Sequence, residues 1–301
     1  MVLHHTEKKK LYKHLGPKPT LYLGADSVYA IHLNRHKLRL ENLIDLQEEH
    51  GLKLNIIEAI DNKDIIPLSK EFITQNLSNT FFCAAGFCSV GVICCALSHR
   101  KAYKAFLDSG DEVGLFLEDD AMLSLNVHEY NFRKIRKELD SIDWGVCWLG
   151  KWAPTMTHAL GDKVTDNLYE HKHFVRHNQA AHAYLLNRKS AQWYYNATEK
   201  IKFPADLRLE ISPFKQVSIE KSIFIQKHRE SVIGNKTIHE DEWWHSTMDD
   251  VPISGKLGNG IRKYELGTVS KHLPVVKQYR KALICKDREL NGLEFEFDLY
   301  V

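Results

Sequence analysis

The chain has no stretch of about 18 consecutive apolar residues, the length that a helix needs to cross a bilayer. Its first ten residues carry His4, His5 and Lys8-Lys9-Lys10 where a secretory signal would have an apolar core. Together these absences make cytoplasmic the expected location, with peripheral contact to a membrane surface open if the substrate is lipid-linked. Charge of one sign is missing too. The 41 Lys and Arg face 39 Asp and Glu, a net of +2, too weak a field to argue for nucleic acid. The six cysteines, Cys83, Cys88, Cys94, Cys95, Cys147 and Cys285, form no CxxC pair. Structural zinc is therefore not expected, and the thiols read as reduced, several of them in the core. No internal repeat or low-complexity block interrupts the chain.

What is present is ordinary for a globular protein: 44% hydrophobic and 27% charged among 301 residues, enough to bury a sizeable core. Residues 1–25 read as a basic lead-in broken by Gly16, Pro17 and Pro19. Residues 26–250 read as one α/β domain, and 251–301 as an extension packed on it or following it. The most telling stretch is Val113-Gly114-Leu115-Phe116-Leu117 running into Glu118-Asp119-Asp120. A short apolar run suits a strand buried on both faces, and α/β sheets gather ligands outside the carboxyl ends of their strands. Three adjacent carboxylates repel unless a cation, a hydroxyl or water separates them. Hard oxygen ligands favour Mg²⁺ or Mn²⁺. A solvated acidic turn would carry the same three residues.

Around that stretch the periodicity predicts a βαβ opening: a strand from Val28 to Leu33, a helix over 37–50 with Leu40, Leu43, Ile44 and Leu46 inward, and a strand from Leu54 to Ile57. Residues 62–90 give no clear pattern. A helix is expected over 91–109, with Cys95, His99, Ala102, Tyr103 and Phe106 on one face and Gly110 as its stop. His99 thus points at the sheet, where a hydrogen-bonded core role competes with a ligand role. A helical stretch over 127–140, a strand from Trp144 to Leu149, a long loop over 151–161, a strand over 183–186 leading into a helix, and a strand from Ile219 to Gln226 complete the pattern.

Cys95-Ala96-Leu97-Ser98-His99, with Leu117-Glu118-Asp119-Asp120-Ala121 downstream, resembles glycosyltransferase family 25. That family includes lipopolysaccharide galactosyl- and glucosyltransferases and collagen galactosyltransferases. Ile31-His32-Leu33-Asn34-Arg35, Ala59-Ile60-Asp61, Ala183-Tyr184-Leu185-Leu186, Pro204-Ala205-Asp206 and Gln226 with Ser231-Val232-Ile233 agree in order. The family usually shows Gly-Glu-x-Gly-Cys before Ala-Leu-Ser-His. Here Val92 replaces the acid and Cys94 the glycine, which puts nucleotide contacts near Val92 in doubt.

The resemblance implies a GT-A-type fold, that is, a Rossmann-like, mostly parallel sheet flanked by helices. It also implies a UDP-sugar donor, a glycan or hydroxyl acceptor, Mn²⁺ or Mg²⁺, and inversion at the anomeric carbon. On that reading Asp120 binds the metal, with Asp119 and His228 as further candidates. Glu118, Asp119, Asn34, Arg35, Arg39, Asp61, Ser98 and His99 line the nucleotide side. Inversion needs one base for the acceptor hydroxyl. Asp206 is the first choice and Glu210 the second, although an Asp after Pro-Ala also suits a helix N-cap. His171, His173, His177 and His182 are spaced too irregularly for a known metal site. Two other readings stay open: a catalytically inactive sugar- or nucleotide-binding relative, and a metal-dependent phosphohydrolase using the same acids.

Overall fold

The structure, a computed structural model, describes residues 20–65, 70–76, 90–150, 160–171, 181–201, 203–210 and 212–226, with the short pairs 289–290 and 293–294. Its strands are β1 (Ser27–His32), β2 (Leu54–Glu58), β3 (Val113–Glu118), β4 (Ala121–Leu123), β5 (Val146–Trp148) and β6 (Leu160–Lys163). They continue with β7 (Leu168–His171), β8 (Ala183–Asn187), β9 (Gln216–Ile219), β10 (Phe224–Gln226), β11 (Glu289–Leu290) and β12 (Leu293–Glu294). The helices are α1 (Lys37–Glu48), α2 (Lys70–Asn76), α3 (Val90–Ser109), α4 (Phe132–Asp140), α5 (Arg188–Ala197) and α6 (Ala205–Glu210).

Eight strands form one sheet in the order β2-β1-β3-β8-β5-β9-β7-β6. β1 lies parallel to β2 and β3, with Val28 opposite both Leu54 and Leu115. β8 runs antiparallel to its neighbours β3 and β5, β5 is parallel to β9, and β7 is antiparallel to β9 and β6. The sheet is therefore mixed, and the expected mostly parallel sheet has to be corrected. A strand buried on both faces shows the same unbroken apolar run in either direction, so Ala183–Asn187 could not announce its reversal. Beside this sheet, β4 and β10 pair antiparallel, setting Gln226 opposite Ala121.

The βαβ opening forms as the periodicity predicts. Gly51 after α1 and Gly110 after α3 take φ of +68° and +84°, the left-handed turn that ends a helix and that a side chain disfavours. One expectation fails on α1: Leu40 faces outward, and the buried face carries Asn42 with Leu43 and Leu46. The expected helix over 127–140 divides at Asn131. This residue caps α4 by accepting from the backbone N–H groups of Arg133 and Lys134, after a separate 3₁₀ turn over Leu125–Glu129. The expected last strand also divides, because β9 belongs to the large sheet and β10 to the small one. Most of the expected loop over 151–161 lies outside the described residues, but β6 already begins at Leu160.

Each face of the sheet has its own apolar layer. On one, Tyr29, Phe116, Tyr184 and Trp148 stand in a row across β1, β3, β8 and β5, with ring centroids 5.6, 5.4 and 6.0 Å apart in turn. Ala102, Tyr103 and Phe106 of α3 and Tyr194 of α5 cover that row. Gly114 permits the close approach, since a Cβ there would lie 2.9 Å from the Phe106 ring. On the other face, Leu43 and Leu46 of α1 and Phe132, Ile135 and Leu139 of α4 share a layer with Ala30, Leu115, Leu117 and Leu185. Leu23 and Ala25 join that layer, so packing starts ahead of Val28. Side chains two apart along a strand share a face. Beyond the aromatic row, the next positions are Ile31, Glu118, His182 and Gly150, at the sheet edge where β1, β2 and β3 end.

Candidate active site

The acidic turn between β3 and β4 stands at that edge, and its three carboxylates meet three different environments. Asp119 is buried toward α1. Its Oδ2 accepts from the backbone N–H of Leu33 at 3.2 Å and pairs with His32 Nδ1 at 2.9 Å, while its Oδ1 accepts from Arg39 Nη1 at 2.7 Å. Burial pushes the Asp119 carboxyl up, but His32, Arg39 and the Leu33 N–H outweigh it and hold the group below its ordinary range. Asn42 ties the turn from below, donating to the carbonyls of Asp119 and Ala121 at 3.1 and 2.8 Å. That contact explains why an amide sits on the buried face of α1.

Glu118 points to the α3 face. Its Oε1 accepts from His99 Nε2 at 3.2 Å, and the Cys95 thiol lies 4.0 Å away. His99 Nδ1 meets the Tyr184 hydroxyl at 2.7 Å, which in turn meets the Tyr103 hydroxyl at 2.9 Å. The whole line is buried apart from Glu118 itself, half-buried at its end. Burial pushes the Glu118 carboxyl up, yet the His99 bond and the nearby histidines leave it lowered. His99 is thus a hydrogen-bonded core residue that also touches the site.

Asp120 differs from both. Its Oδ2 accepts from Gln226 Nε2 at 3.1 Å and lies 3.3 Å from Arg39 Nη1. Its Oδ1 is buried with no hydrogen-bond partner among the described residues. Burial, and then the charge of Glu118, push its carboxyl up from 3.8 to about 7. A buried carboxylate oxygen without a donor is costly, and an opposite charge is the direct remedy. The oxygen donors of Asp120 and Glu118 fit a hard divalent cation. Cys95, His99 and Glu118 also lie close enough together to hold an ion. However, burial keeps the Cys95 thiol far up its scale, and a thiol ligates as the thiolate.

The other expected residues fall in three places. Arg35 pairs with Asp61 at 2.8 Å and donates to Asn62 at 3.2 Å, and Asn34 donates to Glu58. Both arginines expected on the nucleotide side are thus engaged with carboxylates, Arg35 at the ends of β1 and β2 and Arg39 behind the acidic turn. Ser98 accepts from the Ile60 N–H at 2.9 Å and donates to the Cys94 carbonyl at 2.6 Å, so it pins α3 to the chain after β2. Val92 and Cys94, the two departures from the family pattern, are buried. Burial pushes the Cys94 thiol up to about 12. These positions pack.

Asp206 lies in the first turn of α6, one residue inside its start and so not at the cap. α6 packs against α3, with Leu209 in the layer that covers the aromatic row, so it carries Asp206 on the α3 side of the sheet. Glu210 closes α6. His228, His173 and His177 fall outside the described residues. His171 is bonded to Ser218 at 2.9 Å and stacked on Trp148. His32, Tyr184, Gln226 and His182 were given no individual role from sequence. His32, Tyr184 and Gln226 stand in segments that carry the family resemblance and His182 in an irregular histidine group, but nothing local to them signals which atoms they meet.

Residues 25–209 match the family model described as glycosyltransferase family 25 (LPS biosynthesis protein). The chain is 25% identical over 147 residues to human procollagen galactosyltransferase 2, covering 46% of this chain and 23% of that protein. It is 25% identical over 157 residues to zebrafish (Danio rerio) procollagen galactosyltransferase 1, covering 50% and 26%. The chain thus spans about a quarter of the length of these curated relatives. Among solved structures, a glycosyltransferase involved in glycosylation of the major capsid of PBCV-1 aligns with a TM-score of 0.37 at 10% identity, over 68% of this chain and 93% of that one. The family match takes in β1 to α6, and with them every carboxylate of the acidic turn. The chain belongs to glycosyltransferase family 25.

Proposed function

We propose that the chain is a metal-dependent, inverting glycosyltransferase of the GT-A type. It moves a hexose, galactose or glucose first, from a UDP-sugar to a hydroxyl of a glycan or other acceptor. The observation that carries this reading is the acidic turn at the sheet edge, where Asp120, two residues from Glu118, keeps one buried oxygen without a hydrogen-bond partner among the described residues. Family membership supports the sugar donor, and the names of the procollagen relatives support galactose.

Asp120 would hold a divalent cation, with Glu118 beside it, and a bound cation would neutralise the charge that develops on the departing diphosphate. The remaining tasks fall to the chain itself. Arg39 and Gln226 fix the second oxygen of Asp120, leaving Oδ1 turned to its ligand. Asp119, held by His32, Leu33 and Arg39, fixes the turn. His99, steadied by Tyr184, holds Glu118 charged and in place. Asp206 takes the proton of the acceptor hydroxyl as that oxygen attacks the anomeric carbon from the face opposite the leaving group, so one base suffices for inversion.

The test is release of UDP from a panel of UDP-sugars with Mn²⁺ or EDTA, by the unaltered chain and by Asp120→Ala. Release from one sugar, lost with EDTA and with the substitution, is expected. Turnover that survives both would overturn the metal assignment. A chain that turns over no UDP-sugar and ignores UDP with Mn²⁺ in calorimetry would overturn the reading altogether.

A further inference from the structure

His182 precedes β8 and is only 1% exposed. It stands beside Glu118 at the edge, its carbonyl accepting the Glu118 backbone N–H at 3.0 Å. Its ring lies over Gly150, where any Cβ would collide with it; glycine at the end of β5 is what makes room for the imidazole. Nε2 faces the Phe224 carbonyl at 3.4 Å. A carbonyl can only accept, so Nε2 carries the hydrogen, and in a neutral ring Nδ1 is left with a lone pair. Burial disfavours the charged ring. Nδ1 is buried with no hydrogen-bond partner among the described residues. An unfilled buried acceptor is costly unless a ligand supplies the donor. The unfilled acceptor on Asp120 belongs to the same acidic turn, and that one calls for a cation. The imidazole lone pair calls for a neutral O–H.

We propose that His182 is a specificity-determining residue whose Nδ1 accepts a hydrogen bond from one hydroxyl of the hexose being transferred, on the floor formed by Gly150. The inference rests on the glycosyl-transfer reading above. A site built to bond a particular hydroxyl rejects the analogue that lacks it far more strongly than an apolar pocket rejects an extra group. His182 thereby selects among hexoses that differ in the hydroxyl it meets, while UDP, which has no hexose, is bound without it.

The experiment measures kcat/KM of the full chain for UDP-galactose, UDP-glucose and their monodeoxy analogues, together with UDP affinity by calorimetry. The proteins are the unaltered chain, His182→Asn, which keeps an acceptor near Nδ1, and His182→Phe, which keeps the ring without one. For the unaltered chain, one deoxy analogue should lose about tenfold or more. His182→Phe should lose as much on the parent sugar and nothing further on that analogue. His182→Asn should recover most of the loss, and all three proteins should bind UDP alike. The inference is overturned if His182→Phe keeps full kcat/KM, or if it loses equally on every analogue. If His182→Phe does not fold, Gly150→Ala displaces the ring instead and must reproduce the loss on the same analogue. Absence of UDP-sugar turnover by the unaltered chain would overturn both readings, whereas turnover indifferent to residue 182 overturns this one alone.

Discussion

The two sides of the acidic turn are built on opposite terms. Behind it, toward α1, Asp119 gives both oxygens to His32, Leu33 and Arg39, and Asn42 fills the carbonyls beneath. In front, Asp120 and His182 each keep one buried acceptor unfilled among the described residues. On the proposed reading, neighbouring carboxylates of identical chemistry divide the work: the satisfied one holds the turn in shape, and the other is left for the cation. Their proton affinities record the division, Asp119 lowered and Asp120 raised to about 7.

Substitutions in front should cost rate. Asp120→Ala is expected to have the largest effect, lowering kcat/KM for the UDP-sugar by about 10³-fold or more, since metal assistance supplies several kcal/mol. Asp206→Asn should lower kcat on the order of 10²-fold or more while UDP affinity by calorimetry stays unchanged. Full kcat in that variant would remove Asp206 as the base. Substitution behind should instead cost stability. Asp119→Ala leaves buried His32 without its carboxylate and reduces the carboxylates on Arg39 to Asp120, a loss of about 3 kcal/mol in denaturant melts. A melt within 1 kcal/mol of the unaltered chain, on the scale of an ordinary surface substitution, would break the comparison.

The pH dependence sharpens the contrast because the signs oppose. Asp119 has a lowered folded pKa, so its contribution is present above its unfolded value near 3.8 and is lost as pH falls below it. Asp120 has a raised one, so without a cation its contribution is present below 3.8 and is lost as pH rises through about 7. Thermal melts with EDTA should therefore show Asp120→Asn gaining on the unaltered chain between pH 4 and 8, with the gain shrinking when Mn²⁺ is added. The smallest expected effect is that of Tyr184→Phe, which leaves His99 Nδ1 without its hydroxyl and costs about 1–3 kcal/mol of stability. A melt unchanged from the unaltered chain would show that the tyrosine hydroxyl contributes nothing to holding His99.

Much of this was legible from residues alone, because apolar periodicity reports burial directly. The βαβ opening, the face of α3 that carries His99, and the strand that delivers Glu118 all follow from spacing. Strand direction was not legible, since a doubly buried run such as Ala183–Leu186 has no polarity to read. Nor were the partners of the acidic turn. His32 and Arg39 lie about 80 residues before Asp119 and Gln226 more than 100 after Asp120, and no local pattern signals contacts made only through sheet order. The hold of Arg39 on the acidic turn shows only once α1 is laid against β4. Val92 and Cys94, whose departure from the family pattern puts nucleotide contacts near Val92 in doubt, are both buried in α3.

The reversal of β8 has one more consequence. It sets the end of β5 against the start of β8, where the Gly150 N–H donates to the Ala183 carbonyl at 3.0 Å. Between these two points the chain adds β6 and β7 to the far end of the same sheet, β7 pairing with β9, and lengthening a connection whose ends already meet carries only a small closure entropy. The start and the finish of that excursion are thereby clasped together at the rim, so a change of length between them is expected to leave the acidic turn where it stands.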